Sequence, residues 1–407
     1  MSEGAAELPS AFAHLLPRST TDAASERMPS KTSSDEMHLS RALALAERGI
    51  GQTHPNPPVG AVIVDETGQI IGEGFHRRAG FAHGEIEAIL DAERRGRADL
   101  RGCTMVVTLE PCAHHGRTPP CADRLVDEGI ARVVIGARDP NARVDGRGIA
   151  RLIAAGVDVT VASGALALRA QALIAPFTMT MRAHRPYVVV KVAASLDGRV
   201  AAANGHARWI TGPTSRALVH RLRASVDAIL VGSGTARTDD PALTARDVDT
   251  PVLQPRRILV DGALSVSSGA QLYARRDDDR APPLVLHTDG APPDRAAALD
   301  AQGIERVVFS GPHVPLAAAL TDLATRGLTS VLVEPGPGLL GALVDHGLVD
   351  ELWWMSAPVV LGSDARAATA PLGLVRVDEA PRFTPIHDPV TFGGDVLSVF
   401  RPLTPRA

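Results

Sequence analysis

Apolar residues recur at helical spacing from Met37 (MHLSRALALAERGI), with Gly49 as the stop, and predict a first helix. The next stretch, PNPPVGAVIVDETGQIIGEGF, predicts two strands around a Gly-containing turn. A helix over about 83–95, the strand TMVVTLE and a helix over about 119–128 follow; then the short strands RVVIG and VDVTV alternate with helical stretches. This order predicts a layered α/β domain. A helix near 165–181 and the segment Arg182–Pro186 lead to a new apolar strand, YVVVKVAAS, where a second domain begins. That half alternates again: helix 213–225, strands DAILVGS, RRILVD and PLVLHT, helix 315–325, strand SVLVE and helix 338–346. It closes on strand-like ELWWMSAPVV and DVLSVF, which predicts a mixed sheet. Residues 263–302, dense in Asp, Pro and Ala, read as irregular surface. Residues 1–36 carry no sustained apolar period and read as a mobile tail. The expected domains are therefore 37–182 and 183–407.

Composition narrows the function classes. A chain of 407 residues exceeds one ordinary hydrophobic core, in keeping with two domains. A formal net charge of −4 lacks the basic excess that nucleic-acid binding needs. Three cysteines are too few for a disulfide framework and suit a reducing compartment. No apolar run approaches the roughly 20 residues of a membrane span, and the start lacks the pattern of a secretory signal. The expectation is a soluble cytoplasmic protein. Lys31 and Lys191 are the only lysines, so a lysine inside an apolar strand is a conspicuous choice.

The strongest chemical signal is His83-Gly84-Glu85 followed by Pro111-Cys112 and then Cys121. Three N/S donors leave one tetrahedral position for water, the arrangement of a catalytic zinc. Glu85 lies two residues from the histidine at an expected helix start, where its carboxylate can face that water as general acid/base without binding the metal. This is the H-x-E…P-C logic of zinc deaminases. Eight residues, AHHGRTPP, separate the two cysteines, more than the two of the usual nucleoside deaminases. Cys121 follows Pro119-Pro120 at an expected helix start, which favours a thiolate. Cys103 lies outside the pattern and reads as a small core residue.

THPNPPVGAVIV, GEGFHRRAG, HGE, TLEPCAHHGRTPPC and DPNARVDGRG resemble the successive motifs of the bacterial bifunctional riboflavin deaminase–reductases. The resemblance implies a cytidine-deaminase-like three-layer α/β/α domain. It implies that Asn56 and His76 line a pyrimidine pocket, with His115, Arg117 and Thr118 on the inserted loop and Asp139 and Asn141 near the ribose phosphate. Two departures stand out: Gly84 where the family has Ala, and DPNA in place of DPNP.

No GxGxxG turn follows a strand, so the Rossmann fingerprint is absent. Glycine turns do follow two strands, at Gly232-Ser233-Gly234-Thr235 and at Glu334-Pro335-Gly336-Pro337-Gly338. With their flanks (KVAASLDGRVA, RWIT, DDPALTAR, LLGALV) they resemble the reductase half of the same enzymes, a dihydrofolate-reductase-like fold. The resemblance implies NADPH contacts at Ala193, Trp209, Thr235, Asp239, Gly336, Pro337, Gly338, Leu339 and Leu340. It implies substrate contacts at Ala207, Arg223, Leu243, Arg246 and Glu334. Arg223 and Arg246 suit a phosphate, and Glu334 suits ribose hydroxyls. Lys191 and Asp239 are the polar groups expected at the hydride-transfer centre. EPGPG departs from the family's EGGPT: Pro335 removes a backbone N–H and Gly338 a hydroxyl.

The expected protein is a zinc- and NADPH-dependent bifunctional enzyme. It acts on a small phosphorylated pyrimidine, binds neither nucleic acid nor membrane, and forms a homo-oligomer. Two alternatives remain at this stage: a non-catalytic C-terminal module beside the deaminase, and a nucleic-acid deaminase, which needs a basic groove.

Overall fold

The computed structural model describes residues 10–16, 34–113, 120–142, 144–248 and 253–403. It divides into two compact units, Met1–His184 and Arg185–Ala407.

In the first unit, helix α1 (Ser34–Glu47) starts three residues before Met37. Asp35 and Glu36 occupy its first turn, where negative charge is favoured. The chain continues through strands β1 (Gly60–Val64) and β2 (Ile70–Phe75), helix α2 (Gly84–Arg94) and strand β3 (Thr104–Leu109). Helix α3 (Cys121–Asp127), strand β4 (Arg132–Ala137), helix α4 (Arg147–Ala154) and strand β5 (Asp158–Val161) follow. Helices α5 (Gly164–Leu173) and α6 (Ala175–Ala183) end the unit; the single helix expected near 165–181 is divided at Ile174. The sheet order is β2-β1-β3-β4-β5, antiparallel through β3 and parallel beyond it.

Alternation along the strands sends side chains to both faces. Val62, Val106 and Val134 pack with Leu39, Leu43 and Ala170 of α1 and α5. Ala61, Ile63, Met105, Val107, Val133 and Ile135 pack with Ala88, Ile89, Ala122, Leu125 and Leu152 of α2, α3 and α4. The expected three-layer α/β/α arrangement is present. Cys103 belongs to this second core and takes no part in the zinc constellation. Residues 10–16, read from sequence as tail, form a short 3₁₀ turn in which Ala11, Phe12 and Leu16 are buried. Phe12 and Leu16 flank that turn as its N-cap and C-cap residues, and both are buried.

Two glycines of β2 fix where α2 lies. A Cβ at Gly74 would stand 2.3 Å from the Ala88 nitrogen and 2.4 Å from the Gly84 oxygen; at Gly72 it would stand 2.4 Å from the Ala88 oxygen. Backbone therefore packs on backbone, and the start of α2 has no freedom to slide.

The second unit runs β6 (Tyr187–Ser195), β7 (Arg199–Ala201), α7 (Pro213–Ala224), β8 (Ala228–Gly232), α8 (Ser233–Asp239), β9 (Arg256–Val260), β10 (Leu284–Thr288), α9 (Pro293–Ala301), β11 (Glu305–Phe309), α10 (Leu316–Thr325), β12 (Ser330–Val333), α11 (Pro337–Asp345) and β13 (Glu351–Ala357). Short strands β14 (Arg366–Ala367), β15 (Phe383–Pro385) and β16 (Val390–Phe392) precede the long β17 (Asp395–Pro402). The main sheet has the order β11-β10-β9-β8-β12-β6-β13-β17-β15, with β16 also on β17. It is parallel from β11 to β13 and antiparallel beyond, the mixed sheet expected.

Two elements depart from expectation. The segment 263–302 contains α9, an Ala-rich helix with Pro293 in its first turn. The GSGT segment after β8 is the first turn of α8 and not an open loop, because Ala236 buries itself against the sheet. Among the described residues no helix is long and apolar enough to cross a membrane.

Candidate active sites

In the first unit, His83 is the N-cap residue of α2 and Cys121 the first residue of α3. The start of α3 is bonded to Cys112: the Cys121 N–H donates to Cys112 Sγ at 3.3 Å, and the Ala122 N–H to the Cys112 carbonyl at 3.2 Å. His83 Nδ1 lies 3.3 Å from Cys121 Sγ and 3.8 Å from Cys112 Sγ, and all three donor atoms fall within 4.8 Å of one another. Bonds of about 2.0 Å to nitrogen and about 2.3 Å to sulfur around a tetrahedral ion place such donors roughly 3.5 Å apart, so the spacing fits zinc.

The three donors act strongly on one another electrostatically. The neighbouring Cys121 thiol, followed by His83, brings Cys112 down to about 4, while the hydrogen bond with Cys112 and burial push Cys121 well up. The hydrogen bond with Cys112 outweighs burial and lifts His83 to about 9. A bound dication would displace the protons that such closely spaced donors otherwise share. Glu85 is only 3% exposed, and its Oε2 has no hydrogen-bond partner. Burial, only partly opposed by His83, raises its carboxyl above the ordinary range. An orphaned buried carboxylate oxygen two residues from His83 at the start of α2 is what a proton carrier beside the metal requires.

His76 donates from Nδ1 to the Ala82 carbonyl at 2.9 Å, so its Nε2 is left to accept from Asn56 Nδ2 at 3.2 Å. Its ring meets that of His83 edge-on at 5.3 Å. Burial lowers His76, keeping it neutral, and this fixes the Asn56 amide. Asp139 accepts from the Asn141 N–H at 2.8 Å in a turn of its own. His115, Arg117 and Thr118 lie outside the described residues.

Sequence reasoning quoted Glu110 within TLEPC but gave it no task. The structure does: Oε1 accepts from the N–H groups of Gly148 (2.9 Å) and Ile149 (3.2 Å), and Oε2 from those of Gly146 (3.1 Å) and Asp139 (3.3 Å). The buried carboxylate caps α4 and ties it to the Cys112 turn. A Cβ at Gly148 would stand 2.0 Å from the Pro111 oxygen, so this approach demands glycine.

In the second unit, Lys191 sits on β6, between β12 and β13, not at a sheet edge. Its Nζ lies 3.3 Å from Glu334 Oε2. Arg223 grips the same carboxylate through both arms, at 2.6 and 3.0 Å, and donates to the Thr244 carbonyl at 3.1 Å. Burial alone would raise Glu334, but Lys191 and Arg223 outweigh it and hold the carboxyl well below its ordinary range. Arg223, expected from sequence to meet the substrate phosphate, is thus also engaged by an acid within the fold. Arg246 is exposed and has no acid beside it among the described residues. Its N–H reaches His220 Nδ1 at 3.3 Å, an atom also 3.2 Å from the Thr244 carbonyl. His220 and Arg223 together hold the turn that carries buried Leu243 at φ 49°. His220 had no sequence signal beyond its place one turn before Arg223.

The two glycine turns meet at the ends of adjacent strands β8 and β12. A Cβ at Gly336 would stand 3.1 Å from Thr235 Oγ1, and one at Gly232 3.7 Å from Leu339 Cβ. Gly338 faces open space, so a side chain there would fit. Leu340 sends its side chain into the core, leaving only backbone for a ligand. Ala193 lies two residues from Lys191 on the same face of β6, and Ala207 is half-buried. Trp209 is 69% exposed with Arg216 4.5 Å from its ring, so core packing does not explain it. Burial raises the Asp239 carboxyl, opposed by Arg208 and Lys191.

Comparison with known proteins covers both units. Residues 32–137 match the cytidine and deoxycytidylate deaminase zinc-binding region, and residues 186–387 match the RibD C-terminal domain. The chain is 42% identical over 369 residues to the riboflavin biosynthesis protein RibD of Escherichia coli (strain K12), covering 86% of this chain and 94% of that protein. It is 40% identical over 328 residues to RibD of Bacillus amyloliquefaciens, covering 81% and 85%. Among solved structures, Acinetobacter baumannii RibD (form 1) superposes with a TM-score of 0.80 at 34% identity, over 91% of this chain and 99% of that one. The Thermotoga maritima diaminohydroxyphosphoribosylaminopyrimidine deaminase/5-amino-6-(5-phosphoribosylamino)uracil reductase gives 0.79 at 34% identity, again over 91% and 99%.

Proposed function

The chain belongs to the RibD family of riboflavin-biosynthesis proteins, and from that premise we propose how its own residues divide the work. It is a bifunctional enzyme, a zinc deaminase and an NADPH-dependent reductase acting in turn on a phosphorylated pyrimidine. The first step removes the 2-amino group of 2,5-diamino-6-ribosylamino-4(3H)-pyrimidinone 5′-phosphate as ammonia. The second reduces the ribosyl group to ribityl. The two matched domains leave no room for a non-catalytic C-terminal half, and no nucleic-acid partner is indicated.

In the deaminase, His83, Cys112 and Cys121 hold zinc, which supplies Lewis-acid activation of water when bound. Glu85 takes the proton of the attacking water on Oε2 and delivers it to the departing amino nitrogen. Asn56 and His76 hold the pyrimidine. Arg117, His115, Thr118, Asp139 and Asn141 are assigned to the ribose phosphate. Glu110 is a positioning residue, acting through the Cys112 turn. The observation that carries this reading is the convergence of three N/S donors beside the orphaned Glu85 oxygen.

In the reductase, NADPH would supply, when bound, a hydride for C1′, whose bond to the ring oxygen is the one to be broken. The ring oxygen then needs a proton, and Lys191 and Asp239 are the groups assigned to hold one there. Ala193, Trp209, Thr235 and the Gly336–Leu340 turn would bind the cofactor; Ala207, Leu243 and Arg246 would bind substrate. Arg223 sets Glu334, which accepts from ribose hydroxyls. A cytoplasmic, homo-oligomeric enzyme completes the reading. Metal-ligating thiols need a reducing compartment, and the exposed apolar run Leu374, Val375 and Val377 is surface that an assembly would cover.

Chelation tests the division of labour. Removing zinc is expected to abolish ammonia release and leave NADPH oxidation on the deaminated intermediate within about two-fold, since the reductase residues share no donor with the metal. Added zinc should restore the first activity. Loss of both activities on chelation would contradict separate sites.

A further inference from the structure

Arg237 and Arg295 come from different helices, α8 and α9, and converge on one turn. Arg237 Nη1 donates to Ser265 Oγ, and Arg295 Nη1 donates to the carbonyls of Ala263 (3.3 Å) and Leu264 (3.4 Å). Both side chains are exposed, and among the described residues neither has a carboxylate within ion-pair distance. Other exposed arginines have an acid beside them, among them Arg41 with Glu73, Arg101 with Asp99 and Arg376 with Asp378. Two guanidinia brought to one turn from different helices, with no acid between them, offer an anion several charge-assisted donors at once.

The turn itself is rigid. The Gly262 carbonyl accepts from both the N–H (3.1 Å) and the hydroxyl (2.8 Å) of Thr288, and Leu264 is held at φ 50°. Asp261, at the end of β9, could be thought to repel an anion or to bind ribose hydroxyls itself. It is 2% exposed, with one oxygen taken by the Ser265 hydroxyl (3.0 Å) and the other by the Val266 N–H (2.8 Å), so it has no free oxygen for a ribose hydroxyl and lies beneath the turn, with the two guanidinia on the solvent side.

Its place in the sheet says which anion. The strands β9, β8, β12 and β6 are adjacent and parallel, so their C-terminal ends share one edge. That edge carries the glycine turns of β8 and β12, and Lys191 lies on β6. From β6 to β9 is three strand steps, about 14 Å at roughly 4.8 Å per step, the scale of an extended dinucleotide. A dinucleotide with its nicotinamide end near Lys191 would span the distance to the Gly262–Ser265 turn with its adenosine end.

We propose that Arg237 and Arg295 recognise the 2′-phosphate of NADPH and set the preference of this reductase for NADPH over NADH. The inference rests on the cofactor reading above and names the residues that discriminate between the two nucleotides. The phosphate monoester is the single group by which they differ, and each guanidinium offers it charge-assisted hydrogen bonds.

Equilibrium titration of the zinc-loaded enzyme with NADPH and with NADH, with no pyrimidine present, tests the proposal. The double variant Arg237→Ala, Arg295→Ala is expected to weaken NADPH binding about 10- to 100-fold and to leave NADH unchanged. The wild type should bind 2′,5′-ADP more tightly than 5′-AMP, and the double variant should not. Equal loss for both cofactors, no loss for either, or a wild type without preference would overturn the inference while leaving the reductase standing. A wild type that binds neither cofactor would overturn the cofactor site itself, and this proposal with it.

Discussion

Glu85→Gln will lower ammonia release by about 10²- to 10⁴-fold while the chain keeps its full zinc content. Glutamine has the same shape and still fills the buried space at the start of α2, so the Gly72 and Gly74 packing that fixes the helix is untouched. What disappears is a group able to accept a proton and pass it on. Glu85 Oε2 has no hydrogen-bond partner among the described residues, so the oxygen that carries the proton holds no other bond in the fold. NADPH oxidation on the deaminated intermediate is expected to be unaffected. Metal analysis beside an ammonia assay separates the possibilities. Zinc lost together with activity would make Glu85 a structural residue. Activity retained would remove it from the reaction.

Lys191→Met will lower the rate of NADPH oxidation by about 10²- to 10³-fold, the range seen when one preorganised donor is removed from a reacting centre. Methionine keeps much of the volume, and β6 lies deep in the sheet with Val190 and Val192 buried on either side. Glu334 remains paired to Arg223 through two bonds, so the carboxylate is not stranded. Glu334 itself would be a poorer target. Its removal would leave two buried cations facing each other, and breaking such a pair costs about 3–5 kcal/mol. Single-turnover NADPH oxidation, with ammonia release as internal control, measures the effect. A variant with an unchanged single-turnover rate would place Lys191 outside the reductase chemistry.

The zinc donors were legible because their residue types are scarce and their chemistry is narrow. With three cysteines in the chain, two of them beside Pro-Cys and Pro-Pro signals leave few other uses. The layered first unit was legible from strands such as β1, whose alternate residues face two different cores. Helix α9 was hidden because Asp, Pro and Ala in 263–302 suit a loop as well as a short helix; packing of Leu299 decides between them. In α8 the Gly-Ser-Gly run has poor helix propensity, and burial of Ala236 overrides it. The engagement of Arg223 by Glu334 spans 111 residues, and no local pattern reports a contact of that range. Glu110 was hidden for a related reason, since a carboxylate serving backbone N–H groups looks in sequence like any other acid.

The central claim is that one chain performs both steps on one substrate. Its most direct test is the ratio of ammonia released to NADPH oxidised by the purified, zinc-loaded protein supplied with the diamino-pyrimidinone ribosyl phosphate. The account predicts one NADPH consumed for each ammonia, with ammonia appearing first. Ammonia without NADPH oxidation, or NADPH oxidation without prior ammonia, would contradict it.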